Sequence, residues 1–578
     1  MKSHIIIFVL CIVVFFFATL QAQTSEIPAI HKPPIISRDS IPDNAKDPPP
    51  GLETVNPAEF GRSDGVILAW PGWGNEIIGD IANNVAENYK VYMVVANSYY
   101  EGIATTYLSS VGVNMPNVNF IHDATMNNMG MWIRDYGPFC IHDSGALSID
   151  DLIWSGNYGI DLIPYTIANF FSLPLYHSNL IHHGGNHLTD GNGMGFFSTN
   201  IYNHNGGYTQ NQIKQEFKAF FGIDSMVVFA PMNGDGTGHV DMFCKLLNDT
   251  LFIVGEYENP GASYPGDYEL LNNLADYLGT LSNLDGRQFQ VERIPMPPYY
   301  YGGPAGTINY TYTNSLIIND KVLVPVYGFD SDAEALQVYA DCMPYHEIIP
   351  IDSEFIIQYW GAVHCITNEL FSTNPLIVLH DPLKAYTSGT NPQIKFRLNP
   401  KFLQSGASVS YRCISSPNYT EIPALLKNGV WSATLPALTE DFSYYISGTA
   451  TTGDIVFNTS LPEDAPSEVF WVDALNVGTD DEAGIYTIQL TNYPNPFKDD
   501  ISISFSAPFA ARSAYIRLFN VKGQVVRSYS ITNPPTHTVE IKWDGKDDRG
   551  RSVESGIYFC SVVLDGKPVL IGRIIKIQ

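Results

Sequence analysis

Positive charge is scarce in this 578-residue chain. Lys and Arg number 31 against 59 Asp and Glu, a net charge of −28. A body this acidic repels phosphate backbones, so no nucleic-acid partner is expected. It attracts cations instead, guanidinium and amine substrates included, although acidity also serves plain solubility. Cysteines number only seven, and six of them are spread from Cys140 to Cys560. Such spacing suits buried thiols better than a disulfide framework. After Leu20 no long apolar run occurs, so no stable membrane span is expected. No arginine lies between Arg134 and Arg287, and no HExxH sequence is present.

Apolar residues make up 45% of the chain, with 34 Tyr, 31 Phe and 8 Trp, enough for several large cores. The length predicts about three to five domains. Lys2 followed by an apolar run to Leu20 and by Ala22 reads as a signal peptide over 1–22. The chain is therefore expected to be exported, and secreted or held at the cell surface. Residues 23–52, with Pro48-Pro49-Pro50, read as a leader or pro-segment. From 53 to 374 strands alternate with helices, the α/β signature. Thr209 to Gly222 carries Ile213, Phe217, Phe220 and Phe221 on one helical face behind a Thr209/Gln212 capping box. Helices are also expected near Glu76–Glu87, Thr105–Ser110, Asp267–Leu278 and Ser331–Cys342. Residues 375–477 show short strands and no convincing helix, as in an immunoglobulin-type β-sandwich. An acidic linker over 478–486 precedes an all-β tail over 487–578, which carries net +4 against −32 for the rest.

Four segments carry chemistry. Trp132-Ile133-Arg134-Asp135-Tyr136-Gly137-Pro138 sets Asp135 at a loop or strand end, where the bland alternative is a surface Arg–Asp ion pair. His183-Gly184-Gly185-Asn186-His187 is followed by Asp190-Gly191. In Gly238-His239-Val240-Asp241-Met242-Phe243, a strand would project His239 and Asp241 from one face, a base beside a cation-gripping carboxylate. In Gly361-Ala362-Val363-His364-Cys365, Cys365 is a candidate nucleophile, although free cysteines are usually inert core. Metal catalysis is the main rival: His182, His183 and His187 have ligand-like spacing, with Asp241 or His239 to complete a site. Gly184-Gly185 disfavours the helix that an HxxxH pair would need.

Together these segments resemble the guanidino-group-modifying superfamily, in the branch of agmatine deiminases and secreted bacterial peptidylarginine deiminases. Pro57-Ala58-Glu59-Phe60 and Ala69-Trp70-Pro71-Gly72 also fit it. The resemblance implies a five-bladed α/β propeller, or pentein, with the sandwich and tail appended. It implies Cys365 as nucleophile, Asp135 and Asp241 gripping the guanidinium, and His239 as general acid/base. Trp132 would pack along the alkyl stem and Asn314, with Asn309 as the alternative, would line the pocket. No cofactor is implied, structural calcium being the one ion left open. The implied partner is an arginine-containing peptide or a small guanidino substrate. Peptidyl-arginine is the first choice, agmatine giving N-carbamoylputrescine the second, and an inactive adhesion protein the rival from another class. The family's downstream Arg-x-Arg clamp is missing, since Trp154 to Leu162 contains no arginine, and Trp360 stands where paired glycines are usual. In the tail, Tyr493-Pro494-Asn495-Pro496-Phe497, Trp543-Asp544-Gly545, Gly556-Ile557-Tyr558 and the basic final strand resemble a type IX secretion sorting domain, which makes that secretion machinery a second partner.

Overall fold

One pattern recurs five times between residues 63 and 371: two antiparallel strands, a helix, then a strand parallel to the second. The computed structural model describes residues 47–50, 53–156, 159–402, 404–475, 490–505, 513–520, 524–532, 539–564 and 567–577. The expected signal peptide, most of the leader and the linker lie outside the described residues. Among those described, no helix is long and apolar enough to cross a membrane.

Phe139–Asp143 pairs antiparallel with Ala146–Ile153, helix Ile163–Phe171 follows, and Leu175–Ile181 returns parallel. The same order holds for Leu188–Thr189, Met194–Ser198, helix Gln210–Phe221 and Ser225–Phe229. It holds again for Cys244–Asn248, Leu251–Glu256, helix Asp267–Thr280 and Gln290–Pro295. The fourth unit is Leu316–Ile318, Lys321–Val326, helix Ser331–Cys342 and Glu347–Asp352. The fifth is split across the chain. Asn368–Phe371 pairs antiparallel with Ser63–Ala69, which helix Asn75–Val85 links to the parallel Lys90–Val95.

Helix Gln210–Phe221 shows how the sequence sets these elements. The Thr209 side chain accepts from Gln212 N–H while the Gln212 side chain accepts from Thr209 N–H. Ile213, Phe217, Phe220 and Phe221 are buried, and Gly222 closes the end in the left-handed region. The helix expected over Thr105–Ser110 runs instead from Ser98 to Ser110. Only Ala104 and Leu108 are buried on it, so no apolar periodicity marks its first half, and its cap is the Asn97 side chain.

After residue 374 the described elements are all strands. Two sheets enclose a core that includes Phe396, Trp431, Phe442 and Tyr444. The tail forms two further sheets around Phe497, Trp543 and Tyr558. Both modules meet the α/β part through ion pairs: Arg397 Nε donates to Asp249 at 2.9 Å, and Arg517 pairs with Glu347. All six described cysteines are free thiols.

Candidate active site

Each repeat is entered through a short turn, and those turns hold the chemistry. Ile133–Tyr136 precedes Phe139, Gly184–Asn186 precedes Leu188, Val240–Met242 precedes Cys244, and His364–Ile366 precedes Asn368. Asn314 stands just before Leu316–Ile318. The first turn packs against the second and the last, and the second against the third.

Cys365 is buried, and its Sγ lies 3.2 Å from Asn314 Nδ2 and 3.6 Å from Asp241 Oδ2. Asn314 Oδ1 in turn accepts from Ala362 N–H at 3.0 Å and Cys365 N–H at 3.3 Å, fixing the cysteine loop. Burial first, then the charges of Asp241 and Asp135, push the Cys365 thiol well above its ordinary value. Asp135 Oδ1 lies 3.5 Å from His239 Nδ1. A Cβ at Gly185 would fall 2.6 Å from His239 Nδ1 and 3.1 Å from Asp241 Oδ2, so the glycine permits this convergence. Asp135 Oδ1, His239 Nδ1 and Asp241 Oδ1 are all buried and have no hydrogen-bond partner. Three such atoms at one place mark a site built for a polar ligand. Burial raises Asp135 to about 6, opposed by His183 and by Gly185 N–H, and lowers His239 to about 4.

Trp132 is half-buried. A Cβ at Gly361 would meet its ring at 2.5 Å and the Cys365 Sγ at 3.2 Å, so the indole flanks the thiol. From Trp132 an aromatic wall runs outward through Trp73, Tyr359 and the exposed Phe355, with centroids 5.6–6.3 Å apart. Trp360 occupies the left-handed region at φ 68°, and its indole N–H donates to Thr307 O at 2.8 Å.

Three readings of the sequence change. His239 and Asp241 do not share a strand face: Val240–Met242 is a 3₁₀ turn, and both side chains come to lie beside Gly185. Arg134 makes no surface pair with Asp135. It is buried and grips Glu369 with two hydrogen bonds of 2.9 and 2.6 Å, because a carboxylate from the neighbouring unit compensates it away from water. The three histidines of the metal rival also part. His182 Nε2 bonds His187 Nδ1 at 3.0 Å among phenylalanines, while His183 turns to the site, Nδ1 3.0 Å from His239 Nε2. Asn309 lies beside Gly234, and only Asn314 touches Cys365.

Sequence reasoning missed the layer behind. His364 Nδ1 bonds Asp241 Oδ2 at 2.7 Å, and its Nε2 lies 3.2 Å from Glu59 Oε2. Glu59 also pairs with the buried Lys245 at 2.5 Å. Burial, then Arg134 and Lys245, lowers His364 to about 3, so it stays neutral and orients Asp241. Arg134, Glu59, His364 and Glu369 line a cavity of about 60 Å³ behind the site. The signal for Glu59 and Lys245 was their charge inside apolar runs, which needs compensation when buried.

With this geometry in place, similarity to known proteins becomes informative. Residues 55–370 match the family described as Porphyromonas-type peptidyl-arginine deiminase, and residues 491–567 match the FlgD Ig-like domain. A putative agmatine deiminase of Vibrio parahaemolyticus is 26% identical over 359 residues, covering 54% of this chain and 96% of the relative. The agmatine deiminase of Pseudomonas syringae pv. tomato is 22% identical over 360 residues, covering 54% and 94%. An X-ray structure of a putative agmatine deiminase superposes with a TM-score of 0.50 at 20% identity, over 55% of this chain and 96% of that one.

Proposed function

Because the chain belongs to the Porphyromonas-type peptidyl-arginine deiminase family over residues 55–370, we propose that it hydrolyses a guanidino group to a urea and ammonia through a covalent Cys365 adduct. The observation that carries this reading is the convergence of Cys365, Asp241, Asp135 and His239 with three buried polar atoms left unpartnered. On it, the five repeats are blades of an α/β propeller, closed where Asn368–Phe371 pairs with Ser63–Ala69.

Asp135 and Asp241 hold the planar cation by charge-assisted hydrogen bonds. That cation offsets the two carboxylates that raise the thiol, so the thiolate forms once substrate is bound. The thiol proton passes to His239, and Cys365 Sγ bonds to the guanidinium carbon. His239 returns the proton to one nitrogen as its C–N bond breaks, and ammonia leaves a thiouronium. His239 then takes a proton from water, whose oxygen bonds to the same carbon. The C–S bond breaks, His239 returns its proton to the sulfur and the oxygen's remaining proton leaves to solvent, giving a urea product and free Cys365. Asn314 fixes the thiol, and Trp132 lines the stem. These steps use no metal or organic cofactor.

The site favours a guanidino stem without a free carboxylate, as in agmatine or in arginine within a peptide. Among the described residues, the cations behind the site, Arg134 and Lys245, are each held by a glutamate. The relatives named agmatine deiminase give the small substrate at least equal standing with peptidyl-arginine. Ammonia release from agmatine, free arginine and arginine peptides decides between them, and no release from any of them would overturn the deiminase reading. Where peptides are turned over, amidating a C-terminal arginine should change kcat/KM by less than about tenfold. A missing charge-assisted contact is worth roughly 1.5–3 kcal/mol, so a much larger preference for the free acid would require a cation beyond those that the described residues place here.

The acid limb of activity follows from Asp135. Its folded pKa is raised to about 6, so it is neutral below that pH and cannot grip a cation. Since kcat/KM reports ionisations of the free enzyme, it should rise as pH increases through about 6. A profile flat from pH 5 to 7 would contradict the assignment of Asp135 to substrate binding.

We read the tail as a sorting module for type IX export and the sandwich as an immunoglobulin-like spacer, which supports an exported enzyme. Every proposed catalytic residue precedes both.

A further inference from the structure

His183 has no step in the reaction above, yet it completes a second arrangement of ligands in the same pocket. One ring nitrogen of His183, one of His239 and one carboxylate oxygen of Asp135 all lie within 4.8 Å of one another. We propose that these three side chains bind a zinc ion that excludes the guanidinium, making the pocket a site of metal inhibition.

Three observations support it. First, Asp135 Oδ1 and His239 Nδ1 are 3.5 Å apart. Ligand bonds of roughly 2.0–2.2 Å in a tetrahedral zinc site place neighbouring ligand atoms about 3.3–3.6 Å apart. That edge of the polyhedron is therefore already formed. Second, both atoms are buried and lack hydrogen-bond partners, so a metal displaces no existing bond from them. Third, His183 Nε2 lies 2.8 Å from Ser155 Oγ, the second contact that fixes a ligating imidazole. On binding, His183 Nδ1 would exchange its 3.0 Å contact with His239 Nε2 for the metal. The two imidazoles are borderline donors that suit zinc better than magnesium or calcium, a carboxylate is a common third zinc ligand, and three protein ligands leave a fourth position open.

Asp135 and His239 are the groups that the deiminase reading gives to substrate and proton transfer. Inhibition therefore rests on that reading, whereas metal binding does not. Two arms of one experiment separate them. Zinc chloride titrated calorimetrically into the full-length Cys365→Ala protein should bind once per chain. His183→Ala and His183→Gln in the same background should each weaken binding at least tenfold while keeping the parent unfolding temperature. In the wild-type enzyme, zinc should inhibit ammonia release competitively against the guanidino substrate, and a chelator should restore the rate. Unchanged zinc affinity in both folded His183 variants would overturn the site. Inhibition that substrate does not relieve would overturn the competition. A protein that binds zinc through His183 but releases no ammonia from any guanidino compound would keep the site and sink the deiminase reading.

Discussion

Cys365→Ala is expected to lower turnover by a factor of about 10⁴ or more, the scale seen when a covalent nucleophile is removed, while the chain folds as before. On the proposed reading, Asp135 and Asp241 still bind the cation in this variant, but no bond can form to its central carbon. The fold should tolerate the change because the removed sulfur is small and the Cys365 loop is held by other bonds. Asn314 Oδ1 accepts from Ala362 N–H, and Asn314 O accepts from His364 N–H at 3.1 Å. Ammonia release and thermal unfolding measured side by side check both halves. A haloacetamidine, which places an electrophilic carbon next to a guanidinium mimic, should label Cys365 and leave Cys140, Cys244 and Cys560 unmodified. Those three thiols are buried, and burial raises their pKa values. Full activity in Cys365→Ala, with label on another cysteine, would sink the assignment.

Arg134→Met should cost about 3–5 kcal/mol of stability, because it leaves a buried carboxylate without its partner. Arg134 belongs to the turn that carries Asp135, Glu369 to the strand that follows Cys365, and Arg134 Nε also donates to His364 O at 3.3 Å. The pair therefore joins the two halves of the site, and its loss should reduce activity as well as stability. Denaturant unfolding provides the measurement. Removing both charges in Arg134→Met/Glu369→Met should recover much of the loss, since two apolar groups replace two compensated ions. A loss below about 1 kcal/mol in the single variant would mean that water reaches Glu369 and that the pair is effectively exposed.

The elements that the sequence made legible are those whose burial repeats at one period. Helix Ser331–Cys342 lies at its expected bounds, and Asp267–Thr280 differs from expectation only at its end. Helix Ser98–Ser110 was legible only in part, because its exposed Tyr99, Tyr100 and Ile103 break the contrast between faces. The site residues could be found as types but not as a shape. Cys365, His239, Asp241, Asp135, Trp132 and Asn314 converge, yet the reason is a turn before each repeat rather than spacing along any strand. Those turns are three or four residues long, too short to have a period. The five repeats are likewise invisible to a linear reading, since what recurs is a strand order. The pairing of Glu59 with Lys245 is not legible in the sequence, because the two residues are far apart along the chain.

On the deiminase reading, the pairing of Asn368–Phe371 with Ser63–Ala69 also governs when this protein can become active. Those strands are roughly 300 residues apart in sequence, and contacts of such separation form late because the loop between them must first be closed. Cys365 lies three residues before the closing strand, so the nucleophile is among the last parts of the α/β unit to emerge during synthesis and the last to be locked in place. A chain still growing, or held unfolded for passage across a membrane, has carboxylates and a thiol but no pocket. On the proposed function, catalytic competence is thus tied to the pairing of these two strands.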